Sequence, residues 1–201
     1  MDNNEIIIAS KNENKMREIE QILDNTNLKI VSLNSFPAIP DIEETGDTFL
    51  ANARLKAQYY HRILGIPVIA DDSGLVVPAL GGEPGIYSAR YAGIQSDYEA
   101  NNQKLMKNLD GFDSEQRDAY FICVILYLDE KSELDAEGRV YGRITEKPAG
   151  ENGFGYDPVF YYPESKRTFG QMDANHKNRI SHRYLALQDL NKKLDHYWSN
   201  L

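Results

Sequence analysis

Two adjacent carboxylates, Asp71 and Asp72, stand with Ser73 and Gly74 at the end of the apolar run Ile66 to Ala70. An apolar strand gains nothing from charges at its exit, because an unpaired buried carboxylate is costly. Strands that deliver acids to a loop edge commonly build a site. Beyond the acids, Gly81-Gly82-Glu83-Pro84-Gly85 leads on to Ser88-Ala89-Arg90-Tyr91. A second acid pair, Glu43-Glu44, precedes another apolar element. Oxygen-only ligands of this kind suit Mg²⁺, which keeps several waters and is completed by substrate phosphates. No histidine–cysteine pattern suggests zinc. Side chains alternate along a strand, so Asp71 and Asp72 face opposite ways and only one serves a given site; spacing alone does not choose between them.

Four further groups of residues carry chemistry. Ser10-Lys11-Asn12-Glu13-Asn14-Lys15 lies between a strand and a helix start, where backbone N–H groups and the Lys15 charge can hold phosphate oxygens. It lacks the glycines and the Gly-Lys-Ser/Thr ending of a P-loop, and a capped strand-to-helix turn is its other reading. Asn52 and Lys56 are four apart, at the edge of one helical stripe. Gly153-Phe154-Gly155-Tyr156-Asp157-Pro158 offers an aromatic face for stacking on a nucleobase and a carboxylate that can accept a ring N–H. Ser181-His182-Arg183, with Lys177 upstream, opens a helix inside a basic patch. Phosphate donors, a divalent-cation site, a stacking ring and a basic clamp together compose a nucleoside triphosphate site.

The elements that must position these residues are legible as periodicities. Glu5 to Ala9 reads as a buried strand, and Met16, Ile19, Ile22 and Leu23 place a helix over about Asn12 to Asp24. Leu28 to Leu33 is a second strand, and Phe36 to Asp47 has loop chemistry. Asp47 can cap the helix whose stripe is Phe49, Ala53, Ala57, Tyr60 and Leu64, with Gly65 and Pro67 as its stop. Ser96 to Leu109 reads as a helix. Ala119 to Leu128 and Arg139 to Thr145 read as a long strand pair, and Tyr156 to Tyr161 as a short strand. A C-terminal helix from near Ser181 repeats Leu187, Leu190, Leu194 and Tyr197 on one face. Alternating α and β elements with a long β pair predict an α/β protein with a mixed sheet.

The 201 residues fit one domain, 1–201, of two intimately packed lobes. The single cysteine, Cys123, lies in an apolar run and can form no internal disulfide, which fits a reducing, cytoplasmic setting. The start of the chain has no basic n-region, and no run approaches the roughly 18 apolar residues of a membrane span. The formal charge of −9 argues against a nucleic-acid polymer as partner. Lys166 to Arg183 carries a local +4, which suits a compact polyanion.

In six ordered blocks the chain resembles the non-canonical purine nucleoside triphosphate pyrophosphatases, also called inosine/xanthosine triphosphatases. The blocks are Ser10 to Lys15, Glu44 to Phe49, Asn52 to Ala57, Ala70 to Gly93, Gly153 to Pro158 and Lys177 to Arg183, and the likeness runs from Ile6 to about Leu187. The resemblance implies an elongated mixed β-sheet flanked by helices, with two lobes, an active-site cleft between them, and a homodimer. It implies Mg²⁺-dependent hydrolysis of ITP, dITP and XTP to the monophosphate and pyrophosphate. It chooses Asp72 as general base and metal contact, with Glu44 in the metal site and Ser73 touching substrate. Ser10, Lys11, Asn12, Glu13, Asn14, Lys15, Lys56 and Lys177 would hold phosphates and sugar. Phe154, Gly155, Tyr156 and Asp157, with His182 and Arg183, would enclose the base. Two positions depart from the family pattern: Lys11 stands where a glycine is common, and Ala51 where an acid is often found. A pyrophosphatase for another modified or pyrimidine triphosphate, and a nucleotide sensor that does not hydrolyse, are the alternatives.

Overall fold

The computed structural model describes residues 5–23 and 29–200. Seven strands form one mixed sheet in the order β2-β1-β3-β4-β5-β6-β7. They are β1 (Glu5–Ile8), β2 (Lys29–Ser32), β3 (Val68–Val76), β4 (Asp118–Leu128), β5 (Glu133–Ile144), β6 (Phe160–Tyr162) and β7 (Arg167–Thr168). β1 runs parallel to β2 and to β3, whereas β6 runs antiparallel to β5 and β7. The helices are α1 (Glu13–Leu23), α2 (Phe49–Leu64), α3 (Tyr98–Asn108), α4 (Ala174–Lys177) and α5 (His182–Ser199). Asp24, the expected end of the first helix, and Leu28, the expected start of the second strand, lie outside the described residues.

The chain divides into two compact units. The first comprises Met1–Asp72, Cys123–Gly138 and Arg183–Leu201. Strand alternation gives it two apolar cores. Ile6, Ile8 and Ile69 face Met16 and Ile19 of α1 and Leu187, Leu190 and Leu194 of α5. Ile7, Ala9, Val68 and Ala70 face Ala53, Ala57 and Tyr60 of α2. The parity continues into the acids: Asp71 follows Ile69 toward α1 and α5, and Asp72 follows Ala70 toward α2.

The second unit comprises Ser73–Ile122 and Arg139–His182. Its core gathers Leu75, Val77, Leu105, Phe121, Val140, Tyr156, Phe160 and Phe169. Phe121, Phe160 and Phe169 form an aromatic knot with ring centroids 4.6 to 5.9 Å apart. Buried Arg117 donates to the carbonyls of Leu109, Ile144 and Thr145, so its charge is spent on backbone acceptors.

Three expectations shift on inspection. The acids are not at a strand exit: β3 continues through them to Val76. Both carboxylates have partners, so the ladder can carry them. Thr48, not Asp47, caps α2, its Oγ1 accepting from Ala51 N–H at 3.1 Å. The second long strand begins at Glu133 rather than Arg139, extended by the turn in which Asp129 N–H donates to Ser132 C=O.

Candidate active site

In the first unit, cations from three helices converge on the acid pair. Lys15 Nζ lies 3.0 Å from Asp71 Oδ2, and Arg183 Nη2 lies 3.1 Å from the same oxygen. Arg183 Nη1 also donates to Glu18 Oε2, which closes a buried chain of charges from α1 through α5 to β3. Burial pushes the Asp71 carboxyl up, but Lys15, Arg183 and Lys56 outweigh it and hold the group well below the usual carboxylate range. Asp71 is thus a fixed anion, and its Sγ neighbour Cys123 is pushed up to about 12, chiefly by burial.

Asp72 differs although it is the next residue. Burial raises it above the ordinary aspartate range; Lys56 and Lys15 oppose the shift and the Glu44 charge adds to it. Asn52 Nδ2 donates to Asp72 Oδ2 at 3.0 Å, while Asn52 Oδ1 accepts from Gly46 N–H at 2.8 Å. That second bond explains the glycine: a Cβ on Gly46 would stand 2.7 Å from Asn52 Oδ1. The folded-back loop brings Glu44 to Lys56, whose Nζ donates to Glu44 Oε1 at 2.7 Å and to the Asp71 carbonyl. Burial lowers Lys56, but Asp72, Glu44 and Asp71 overcome it and keep it charged. Two neighbouring carboxylates are therefore driven apart in acidity by their surroundings.

The phosphate-turn residues are arranged as a capped helix start. Asn12 N–H donates to Ser10 Oγ at 3.2 Å, and Asn14 and Lys15 N–H donate to Asn12 Oδ1 at 3.0 and 3.2 Å. Lys11 Nζ pairs with Asp41 at 2.9 Å and donates to the Ile39 carbonyl. Exposed Glu13 pairs with Arg17 at 3.6 Å. Among the described residues, no group of three or more His, Cys, Asp or Glu side chains is placed to hold a metal. Glu44 and Asp72, two hard oxygen donors gathered around Lys56, fit a cation that takes the rest of its shell from water and phosphate.

The second unit holds the aromatic group. Gly153 and Gly155 take positive φ angles of 75° and 63°, which turn the chain tightly around Phe154. A Cβ on Gly153 would lie 1.9 Å from Asp157 Oδ2, so only glycine admits the carboxylate. Asp157 Oδ2 accepts from Phe154 N–H at 2.8 Å and from Lys177 Nζ at 2.5 Å. The Lys177 ammonium also stands 4.8 Å from the Phe154 ring centroid. Tyr156 OH donates to the Ser88 carbonyl at 2.9 Å. His182 stacks on Phe121 with centroids 4.8 Å apart and an 11° interplanar angle.

The predicted residues thus fall into two groups. Ser10 to Lys15, Glu44, Lys56, Asp72 and Arg183 belong to the first unit, and Ser73, Phe154 to Asp157, Lys177 and His182 to the second. Lys177 keeps company with the loop carboxylate and two rings. Arg183, 1% exposed, is bound to Glu18 and Asp71. Sequence reading missed Glu18, whose signal was a charge beside the apolar stripe, three residues from Lys15. It also missed Asp71 as the hub and Asn52 as the brace of Asp72.

The chain matches the Ham1 family over residues 6–193. It is 48% identical over 191 residues to the "dITP/XTP pyrophosphatase" of Listeria monocytogenes serotype 4b, covering 94% of each chain. Among solved structures, the Ham1 protein of Staphylococcus aureus superposes with a TM-score of 0.86 at 42% identity, over 96% of this chain and 99% of that one. A HAM1 protein from Coxiella burnetii gives 0.87 at 40% identity, over 96% and 98%.

Proposed function

Because this chain belongs to the Ham1 family, we propose how its residues divide the work of a nucleoside triphosphate pyrophosphatase acting on deaminated purines. The reaction is NTP + H₂O → NMP + pyrophosphate. A water oxygen bonds to the α-phosphorus, the α–β anhydride bond breaks, and the water proton passes to a base. The observation that carries the reading is the contrast on β3: Asp71 Oδ2 lies against Lys15 and Arg183, while Asp72 Oδ2 accepts from the neutral amide of Asn52, which goes with a carboxyl held low at Asp71 and raised at Asp72. We assign Asp72 as the base, oriented by Asn52 through its 3.0 Å bond. A positioned base contributes about 10²–10⁴-fold.

Lys15 and Lys56 neutralise charge on the triphosphate, and Ser10 to Asn14 line the turn that presents Lys15. Ser73, next after Asp72, contacts the substrate. Glu44 and Asp72 would hold Mg²⁺, which when bound screens the phosphates and offsets charge on the leaving pyrophosphate.

The base is assigned to Phe154, for stacking, and to Gly155, Tyr156 and Asp157 around it. Lys177, bonded to Asp157, is assigned to the base and sugar edge rather than to the phosphates. A donor at His182 would select a 6-oxo purine, since an adenine amino group would leave it unmatched, whereas Arg183 acts by holding Asp71. The chain is read as one catalytic domain, working as a homodimer in the cytoplasm. No described helix is long and apolar enough to cross a membrane.

The test is pyrophosphate release from ITP, dITP, XTP, ATP, GTP and dTTP, with and without Mg²⁺. Mg²⁺-dependent release from the three deaminated purines well above ATP is expected. Preferred release from dTTP would reassign the substrate, and ITP binding without release from any nucleotide would make the protein a sensor.

A further inference from the structure

Within the second unit, α3 grips the Gly153–Asp157 loop from one helical face. Asn102 Nδ2 donates to the Gly155 carbonyl at 2.9 Å. One turn earlier, the Tyr98 ring lies 6.1 Å from the Phe154 ring, tilted by 47°. Positions four apart on a helix share a face, so the two side chains act on adjacent loop residues together. Gly155, at φ 63°, is the loop residue with the least steric restraint of its own. Its carbonyl is fixed by a side chain 53 positions away in sequence rather than by its neighbours.

The same helix is itself anchored. Asp97 caps it by accepting from Ala100 N–H at 3.0 Å, and Asn101 Oδ1 accepts from Ala92 N–H at 2.6 Å. Asn101 Nδ2 reaches the Ser88 carbonyl, the acceptor that also takes Tyr156 OH. The loop is therefore braced at Phe154 N by Asp157, at Gly155 O by Asn102, and at Tyr156 OH by Ser88. Of these, Asn102 is the brace that α3 supplies through a side chain.

We propose that Tyr98 and Asn102 are positioning residues that hold the Phe154–Gly155 segment in its base-receiving geometry and so set affinity for the nucleobase. This rests on the reading that Phe154 receives the base. A helix-borne brace places the ring before substrate arrives, which spares the ordering cost that a loose loop would pay on binding. Losing one such bond corresponds to about a two- to tenfold change in an equilibrium.

The experiment compares Asn102→Leu, Tyr98→Leu and Phe154→Ala in the full chain, each checked by thermal melting. Steady-state kinetics with dITP are set beside inhibition by inorganic tripolyphosphate, which has no base. The expected result is a KM for dITP raised about five- to tenfold in Asn102→Leu and Tyr98→Leu, with kcat and the tripolyphosphate inhibition constant unchanged. A merely structural role would move both constants together, and that outcome would overturn the proposal. If Phe154→Ala raises KM while both α3 variants match wild type, the brace is refuted and the base reading stands. If Phe154→Ala also leaves KM unchanged, the base reading itself is wrong. Should Asn102→Leu fail to fold, Asn102→Ala supplies the same comparison.

Discussion

Lys56 and Lys177 are both buried lysines bonded to carboxylates, yet their surroundings have little else in common. Lys56 stands among Glu44, Asp71 and Asp72, in a cluster that also takes in Lys15, Arg183 and Glu18. Lys177 has Asp157 and the ring faces of Phe154 and Phe169, 4.8 and 5.8 Å away. The first arrangement is a set of charges whose balance an anionic ligand can enter. The second is a rigid apolar surface with one neutralised charge at its edge. Charge balance suits phosphate chemistry, where field strength and proton transfer matter. A fixed ring surface suits recognition of a flat base.

This contrast can be broken by changing one side at a time. Of the two lysines, Lys56→Met should have the larger effect on turnover, lowering kcat for dITP by about 10²–10³, as expected for loss of one preorganised electrostatic partner. Steady-state kinetics at saturating substrate measure it, and a change confined to KM would move Lys56 out of the chemistry. Glu18→Ala should act on stability instead. It leaves Arg183, 1% exposed, with half its compensation. The expected loss is about 3–5 kcal/mol in denaturant unfolding, and an unchanged midpoint would show that Asp71 alone suffices. Phe154→Ala should be the mildest, raising KM for dITP about tenfold at unchanged melting temperature, in line with a stacking contribution of about 1–3 kcal/mol.

Much of the first unit was legible in the sequence because its information is local. The alternation of Ile6 to Ala9 and Val68 to Ala70 sets which face each acid takes, so Asp71 and Asp72 were bound to diverge. The alternation did not say which carboxyl is held low and which is raised, since that depends on which cations wait on each face. Glu18 was hidden for the same reason: its partner Arg183 is 165 positions away, and no periodicity links them. The blocks Glu44 to Phe49 and Asn52 to Ala57 announced themselves, but their physical content was Gly46 closing on Asn52. In the second unit, the glycines around Phe154 were legible as a tight path. The α3 brace was not, because Asn102 on a half-buried helix face looks like any solvated asparagine.

The division of labour between the adjacent acids is tested most directly by Asp72→Asn. Single-turnover pyrophosphate release from dITP is measured beside binding of its α,β-methylene analogue by calorimetry. The account predicts release slowed by about 10²–10⁴, with the analogue still bound. Wild-type release from Asp72→Asn would contradict it and return the choice between Asp71 and Asp72 to the open question the sequence posed.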